Sequence, residues 1–257
     1  IETLVLHVVL KPTFFRMSLV RNIEDIGKTV LNYSHIGKAL HYLRNRNNKN
    51  AVFIWIPKNA GTSIYKTLKK HGCLKAKKLA RVKYRFSQRG LVTFGHMDYA
   101  QLVQKGYVSR EFNQTAYKFC FSRNPYDRAI SLYEYFKDGF PKGTTFHEFI
   151  QRVTEKGVRK TGLFNSIALS SCNPQVRWIE NVNIDFYGSY ENLGEDFNTV
   201  LRALELPEMS LLHLNKSRRS DYNEYYDLET KKRVEAFYKE DFEFFNYPMM
   251  EDSIINQ

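Results

Sequence analysis

Residues 51–63 read AVFIWIPKNAGTS, six apolar residues followed by a short turn of small and polar residues. The apolar run does not alternate with polar residues, which is typical of a β-strand that is covered on both faces. After the turn, residues 61–70 have an amphipathic pattern and are predicted to form a helix. A buried strand that leads directly into a helix is typical of a parallel sheet with crossover helices.

Three further segments have the composition of strands, namely residues 91–94, 117–121 and 184–187. Helical patterns follow two of these segments, over residues 126–136 and 191–204. Because strands and helices alternate along the chain, we predict an α/β protein with a parallel sheet flanked by helices.

The segments outside this alternation have patterns of their own. Residues 138–179 are interrupted by glycine and proline, so we expect them to lie over the sheet edge, where insertions often shape a binding pocket. Residues 227–245 are predicted to be helical. In residues 18–43 apolar side chains recur every third or fourth position, so residues 1–48 are expected to form an N-terminal helical extension. That helix could pack on the core, or it could bind a membrane surface or a partner.

Composition excludes several classes of protein. The 257 residues include 39 Lys and Arg against 27 Asp and Glu, so the formal charge is +12, which predicts an anionic partner without identifying it. A hydrophobic content of 43% argues against intrinsic disorder, and no stretch approaches the roughly 18 consecutive apolar residues of a membrane-spanning helix. Cys73, Cys120 and Cys172 form neither a CxxC pair nor an even disulfide set, which favours a reducing compartment. Without zinc-finger or RRM signatures, we do not expect nucleic-acid binding.

The turn at residues 57–63 has the features of a phosphate-binding loop. Backbone N–H groups at a helix N-terminus favour an anion, Gly61 permits close approach of the backbone, and Thr62 and Ser63 provide hydroxyl donors. Lys58 adds a positive charge, although it precedes Gly61 by three positions, whereas the lysine of a Walker A motif follows the glycine. An ordinary strand-to-helix turn with a solvated lysine would have the same pattern.

Residues 119–133 repeat this arrangement of an apolar strand, a polar turn and a helix. Arg123 lies at the exit of the strand, where its guanidinium can donate two hydrogen bonds to one phosphate. Ser131 lies about two helical turns further on, and it reaches the same anion only if the helix runs alongside it; packing is the alternative role. Arg128 could equally be a solvated charge on the helix surface.

Together these segments resemble the sulfotransferases that use 3′-phosphoadenosine 5′-phosphosulfate, particularly the carbohydrate O-sulfotransferases that act on heparan and chondroitin sulfate. The resemblance covers most of residues 51–247 and implies a P-loop-kinase-like sulfotransferase fold, with the sulfotransferase domain at residues 49–257. The turn PKNAGTS is similar to the family's loop for the 5′-phosphosulfate, and RNPYDRAIS, which begins at Arg123, is similar to its 3′-phosphate motif. Residues 185–193 and 215–226 are similar to its final core strand and its cofactor-covering loop.

The resemblance also implies roles for individual residues. Lys58 is the candidate for stabilising the charge that grows on the bridging oxygen during sulfonate transfer. His96 aligns with the catalytic histidine of uronosyl O-sulfotransferases and is the candidate general base, but Phe94 replaces a neighbouring family histidine, so the same acceptor is not implied. Asp98 and Glu191 are alternative bases. The residues implied in binding the donor are Pro57, Lys58, Asn59, Ala60, Gly61, Thr62, Ser63, Arg123, Ser131, Ser217, Arg218 and Arg219. For the last three, a solvated charged loop is the alternative.

Gln175 and Trp178 precede the last predicted strand, where related enzymes line the acceptor side. The alternative is a core tryptophan beside an exposed amide.

The sequence thus predicts transfer of a sulfonate from 3′-phosphoadenosine 5′-phosphosulfate to a hydroxyl of a carbohydrate or glycoconjugate, either neutral or acidic, without a metal. A P-loop-like nucleotide kinase and a non-catalytic nucleotide- or polyanion-binding protein are the alternatives. With no signal peptide and no paired cysteines in the sequence, we expect a cytoplasmic enzyme that could associate with a membrane only through its N-terminal helix.

Overall fold

The strands of the protein form one parallel sheet. The computed structural model describes residues 34–155, 167, 169–211 and 225–252. Within these residues the sheet has five strands in the order β2-β3-β1-β4-β5, and all neighbouring strands are parallel. The strands are β1 (Ala51–Ile54), β2 (Leu74–Lys75), β3 (Leu91–Thr93), β4 (Tyr117–Ser122) and β5 (Phe186–Ser189). The predicted α/β class is confirmed.

Helices connect and flank the strands. The described helices are α1 (His35–Arg44), α2 (Gly61–Lys69), α3 (Leu79–Tyr84), α4 (Tyr99–Gln104), α5 (Arg110–Thr115), α6 (Pro125–Phe136), α7 (Phe146–Glu155), α8 (Leu193–Ala203), α9 (Leu228–Phe237) and α10 (Lys239–Phe244). Single 3-10 turns lie at Lys137–Gly139 and Gln175–Trp178. In the described part of the chain, no helix is both long enough and apolar enough to cross a bilayer.

The central strand β1 is covered on both faces, as its composition predicts. Val52 and Ile54 belong to the apolar cluster on one face of the sheet, and Ala51 and Phe53 belong to the cluster on the other. All four side chains are buried. Burial of each of the larger ones stabilises the fold by about 1.5–3 kcal/mol relative to an exposed position. A strand with two buried faces has no position for a polar side chain, which explains the missing alternation.

The neighbouring strands β1 and β4 bring two distant turns together. Ile54 is paired with Cys120, so these parallel strands end at the same edge of the sheet. The turn that follows β1 therefore lies beside the turn that follows β4.

Three differences from the prediction concern the sheet and the C-terminal helix. Strand β2 was not predicted, because two residues are too short for a periodic pattern. The last strand begins at Phe186, two residues later than predicted. The predicted C-terminal helix is two helices, α9 and α10, which meet at Tyr238, where the backbone leaves helical geometry and the buried hydroxyl donates to Cys172 O at 3.0 Å.

The structure also describes part of the predicted N-terminal helix and all three cysteines. Helix α1 covers the C-terminal part of the predicted N-terminal helix, whereas residues 18–33 lie outside the described residues. All three cysteines are buried and free.

Candidate functional site

The turn between β1 and α2 exposes backbone N–H groups at the start of a helix. Lys58 and Ala60 both have positive φ, at 70° and 59°, which costs about 1–2 kcal/mol for each L-residue. Ala60 caps α2 without a side-chain hydrogen bond, and its carbonyl accepts from the N–H groups of Ser63 and Ile64. The Gly61 N–H makes no hydrogen bond to a described residue. The turn is therefore strained into a shape that presents donors to an anion.

Gly61 is required by a neighbouring side chain. A Cβ atom at this position would overlap Nε1 of the Trp55 indole. The indole is buried and stacks against both Phe53 and Tyr65. Gly61 thus lets the first turn of α2 lie directly on Trp55, a reason that the sequence did not reveal. Thr62 is exposed beside it, whereas the Ser63 side chain is buried.

Arg123 joins the turn after β4 to the turn after β1. Its side chain is only 6% exposed, and Nη1 donates to Lys58 O at 3.2 Å. The guanidinium lies 4.1 Å from the ring centroid of Tyr190. The buried Nε atom has no hydrogen-bond partner among the described residues. Arg123 is therefore held in place and still has donor capacity for an anion.

Gln175 connects the same two turns through a buried network. Its Oε1 accepts from Asn59 Nδ2 at 2.6 Å and from Arg123 N at 2.9 Å, and its Nε2 donates to Arg123 O at 2.8 Å. Asn59 Nδ2 also donates to Phe121 O at 2.7 Å. Because Arg123 N can only donate and its carbonyl can only accept, these contacts fix the orientation of the Gln175 amide. The alternative of an exposed amide is wrong, since Gln175 is fully buried.

Gln175 is itself held from the C-terminal end of the chain. The buried carboxylate of Asp241, in α10, accepts from Gln175 N at 2.8 Å and from Val176 N at 3.0 Å. Burial raises the pKa of Asp241, while Arg128 opposes this shift. No sequence motif indicates Asp241, because its contribution depends on a contact between segments 66 residues apart.

Arg128 is buried, so the alternative of a solvated helix charge is wrong. The residue is 1% exposed, and its Nε donates to Pro57 O at 3.2 Å while Nη2 donates to Ser171 O at 2.7 Å. The guanidinium lies 5.7 Å from the rings of Trp178 and Tyr238. Trp178 is a buried core residue. Arg128 therefore stabilises the turn between β1 and α2 by donating a hydrogen bond to the carbonyl of Pro57.

Lys58 projects from the first turn next to Arg123. Its Nζ lies 4.2 Å from the ring centroid of Tyr135. It has no ion pair with any described carboxylate. Burial, with a further contribution from Arg123, lowers the pKa of Lys58 to about 8. The ammonium group is thus close to a second cation, an arrangement that a bound anion would stabilise.

His96 lies on the other side of the first turn. Its Nδ1 is 3.2 Å from Trp55 O, and its ring packs edge-on against the Trp55 indole. Since the carbonyl can only accept, Nδ1 carries the proton and Nε2 of the neutral ring has a free lone pair. The residue is exposed, yet the protein atoms packed around the imidazole reduce its hydration and lower its pKa, and Lys75 and Arg128 lower it further. A neutral imidazole with an accessible Nε2 can act as a base.

The two alternative bases have structural partners. Asp98 caps α4 by accepting from Gln101 N at 3.1 Å and from Gln101 Nε2 at 2.8 Å. Glu191 accepts from Asn124 N at 2.9 Å and from the Tyr247 hydroxyl at 3.0 Å. Both carboxylates stabilise backbone at a helix start, whereas Nε2 of His96 accepts no hydrogen bond from a described residue.

The remaining residues that the sequence predicted for donor binding are Ser131, Ser217, Arg218 and Arg219. Ser131 lies on α6, is half-buried, and makes no side-chain hydrogen bond to a described residue. Ser217, Arg218 and Arg219 lie outside the described residues. The structure therefore brings together the predicted residues 57–63 with Arg123. It also gives Gln175, Arg128 and Asp241 a supporting role, which the sequence did not indicate for any of them.

Known proteins resemble this chain in sequence or in structure. The model of the family described as "Sulfotransferase family" matches residues 41–248. A crystal structure of a sulfotransferase from Alicyclobacillus acidocaldarius superposes with a TM-score of 0.44 at 15% identity, over 75% of this chain and 96% of that one. An uncharacterized protein of Archaeoglobus fulgidus is 31% identical over 106 residues, which are 40% of this chain and 80% of that protein. Because the family model spans most of the chain and includes both turns, the protein belongs to the sulfotransferase family.

Proposed function

We propose that the protein transfers a sulfonate group from 3′-phosphoadenosine 5′-phosphosulfate to a hydroxyl of a carbohydrate or glycoconjugate. The observation that carries this proposal is the direct connection between the two anion-binding turns, through Arg123 Nη1 and Lys58 O at 3.2 Å and through the shared Gln175 amide. A donor with a phosphate on each side of one ribose needs two such turns at a fixed separation.

The hydrogen-bond donors at the two turns fit such a nucleotide. The N–H groups of Gly61 and Thr62 at the start of α2 suit its 5′ end, because they make no hydrogen bond to a described residue and lie at the positive end of the helix dipole. Arg123, with its unpartnered Nε, suits the 3′-phosphate. When bound, the nucleotide supplies an activated sulfonate and a phosphate leaving group.

Lys58 and His96 have different roles in the transfer. His96 Nε2 takes the proton of the acceptor hydroxyl as the new S–O bond forms, and the bond between sulfur and the phosphate oxygen breaks. The Lys58 ammonium stabilises the negative charge that develops on that phosphate oxygen. With a pKa of about 8, Lys58 is predominantly charged at pH 7, and an adjacent anion increases this fraction.

Calorimetry with 3′-phosphoadenosine 5′-phosphate tests the donor assignment without knowledge of the acceptor. We expect binding in the presence of a chelator, and we expect Arg123→Ala to weaken it by about 10- to 100-fold, the value of a lost charged hydrogen bond. Arg110→Ala is the control, because Arg110 is exposed and has no ion pair within the described part of the chain. Tighter binding of ATP that requires Mg²⁺ would support a kinase instead.

The acceptor class needs a separate measurement. Incubation with labelled donor and a panel of neutral and acidic oligosaccharides should label at least one glycan. Binding of the nucleotide without any transfer would favour a non-catalytic nucleotide-binding protein.

A further inference from the structure

The backbone of Lys58 is fixed on both sides of its side chain. The carbonyl before it, Pro57 O, accepts from Arg128 Nε at 3.2 Å, and its own carbonyl accepts from Arg123 Nη1 at 3.2 Å. The side chain beyond Cα has four rotatable bonds, so the position of the ammonium group depends on what it contacts. That contact is an aromatic ring, since Nζ lies 4.2 Å from the ring centroid of Tyr135. This distance is within the range of a cation–π interaction.

Helix α6 places Tyr135 beside the turn between β1 and α2. Arg128 and Tyr135 lie about two helical turns apart on α6 and therefore share one face of the helix. Arg128 contacts Pro57, and Tyr135 contacts Lys58. Two separate contacts thus show that this face of α6 runs along the first turn.

The Tyr135 side chain contributes little to the core. It is 65% exposed, and its ring meets Phe136 edge-on with 4.9 Å between the ring centroids. Tyr133 and Phe136, on either side of it in the chain, pack instead against a buried apolar cluster of the protein. Substitution of Tyr135 should therefore leave the fold intact, so that the role of its ring can be tested separately.

No described carboxylate lies within ion-pair distance of the Lys58 ammonium group. Glu134, the acidic residue next to Tyr135, has other partners. One of its oxygens accepts from Lys137 Nζ at 2.7 Å, and the other accepts from the Tyr225 hydroxyl at 3.2 Å. The ring of Tyr135, rather than a carboxylate, therefore faces the ammonium group.

The electrostatic effects on Lys58 oppose one another. Burial and the neighbouring guanidinium of Arg123 lower the pKa of Lys58 to about 8, because both disfavour the charged amine. The face of an aromatic ring carries partial negative charge and favours the charged amine. Removal of the Tyr135 ring should therefore lower the pKa of Lys58 further.

We propose that Tyr135 is a positioning residue for Lys58, and that its ring face keeps the ammonium group charged and in place at the first turn before the donor binds. The cation is then already oriented when the nucleotide arrives, so less freedom is lost on binding. The contact between ring and ammonium group does not depend on the proposed function, whereas its effect on turnover rests on that function.

The protonation of Lys58 can be measured without nucleotide or acceptor. Only the neutral form of a lysine reacts with an amine-acylating reagent, and mass spectrometry of the digested protein quantifies the product at Lys58 at each pH. In Tyr135→Leu, which keeps an apolar side chain without a π face, we expect Lys58 to react about 2- to 8-fold faster at pH 7. In Tyr135→Phe we expect the wild-type rate, because the ring face is kept.

A pH series and a second tyrosine provide the controls. At high pH the amine is neutral in every variant, so the difference between Tyr135→Leu and the wild type should vanish there. Tyr84→Leu removes another exposed ring beside a lysine, since Lys83 Nζ lies 5.2 Å from the centroid of Tyr84, and it should leave the reactivity of Lys58 unchanged. Urea unfolding should give similar free energies of unfolding for all variants. If Tyr135→Leu does not fold, Tyr135→Met replaces it.

Turnover gives a second measurement, which rests on the proposed function. The alkaline decline of kcat/KM for the donor should begin at lower pH in Tyr135→Leu and at the wild-type pH in Tyr135→Phe. A merely structural loss would lower kcat/KM by the same factor at every pH.

Three results of the labelling would overturn the inference. They are an unchanged reactivity of Lys58 in Tyr135→Leu, an increase of equal size at every pH, which would reflect wider access alone, and an equal increase in Tyr135→Phe. A protein that shows the expected labelling but transfers no sulfonate would refute the proposed function and leave the contact between Tyr135 and Lys58 standing.

Discussion

Asn59 Nδ2 lies 2.6 Å from Gln175 Oε1, although 116 residues separate them in the chain. The same Oε1 atom accepts from the backbone of Arg123, so one buried amide sets the separation of the two anion-binding turns. We expect Gln175→Leu to leave the donors of Asn59 and Arg123 without an acceptor and to lower the free energy of unfolding by about 1–3 kcal/mol.

Nucleotide affinity should fall in the same variant, because the two turns are no longer held together. Urea unfolding and calorimetry with 3′-phosphoadenosine 5′-phosphate measure the two effects. The control is Gln151→Leu, an exchange at a half-buried position of α7, which should change neither quantity by a comparable amount. A stable Gln175→Leu protein with normal affinity would show that the amide is dispensable.

Gly61→Ala should destabilise the protein through a clash with Trp55. The added methyl group would overlap the indole, and overpacking of this kind costs about 1–3 kcal/mol. The double variant Gly61→Ala/Trp55→Leu should recover part of that loss, because the smaller side chain leaves room for the methyl group. Thermal unfolding of the single and double variants measures the coupling, and purely additive effects would contradict direct contact.

Lys58→Ala should abolish most turnover while the protein remains folded, since the half-buried ammonium group makes no ion pair with a described residue. In the wild type, burial lowers the pKa of Lys58 to about 8, so the charged form is lost as the pH rises through that value. Steady-state rates should therefore decline above about pH 8. In Lys58→Arg the residual rate should not show this decline, because a guanidinium stays charged; an identical decline in that variant would assign it to another group.

His96→Ala should lower the rate by about 10²- to 10⁴-fold and leave nucleotide affinity unchanged. Because the protein atoms packed around the imidazole reduce its hydration and lower the pKa of His96, its neutral form is already populated below the usual pKa of 6.5, and activity should rise with pH over that range in the wild type alone. His96→Asn serves as the control that keeps a donor to Trp55 O. If nucleotide binding is lost together with the rate, His96 has a structural role.

Whether a side chain is buried depends on which surfaces of the chain meet in the folded protein. Arg128 lies on a helix next to charged and polar residues, and nothing local distinguishes it from a solvated arginine. Only its position under Pro57, with Ser171 contributed from another segment, makes it a buried support of the first turn. The buried hydroxyl of Tyr238, at the end of α9, likewise donates to the carbonyl of Cys172 in a distant segment.

The sequence by itself determined the strands with two buried faces, the alternation of strands and helices, and the two polar turns with Lys58 and Arg123. These features are local, since side-chain size and backbone preference over a few residues specify them. The tertiary structure decided which buried groups connect the turns, namely Gln175, Asp241 and Arg128. Such contacts join segments dozens of residues apart, and their strength comes from the exclusion of water, which no single segment can provide.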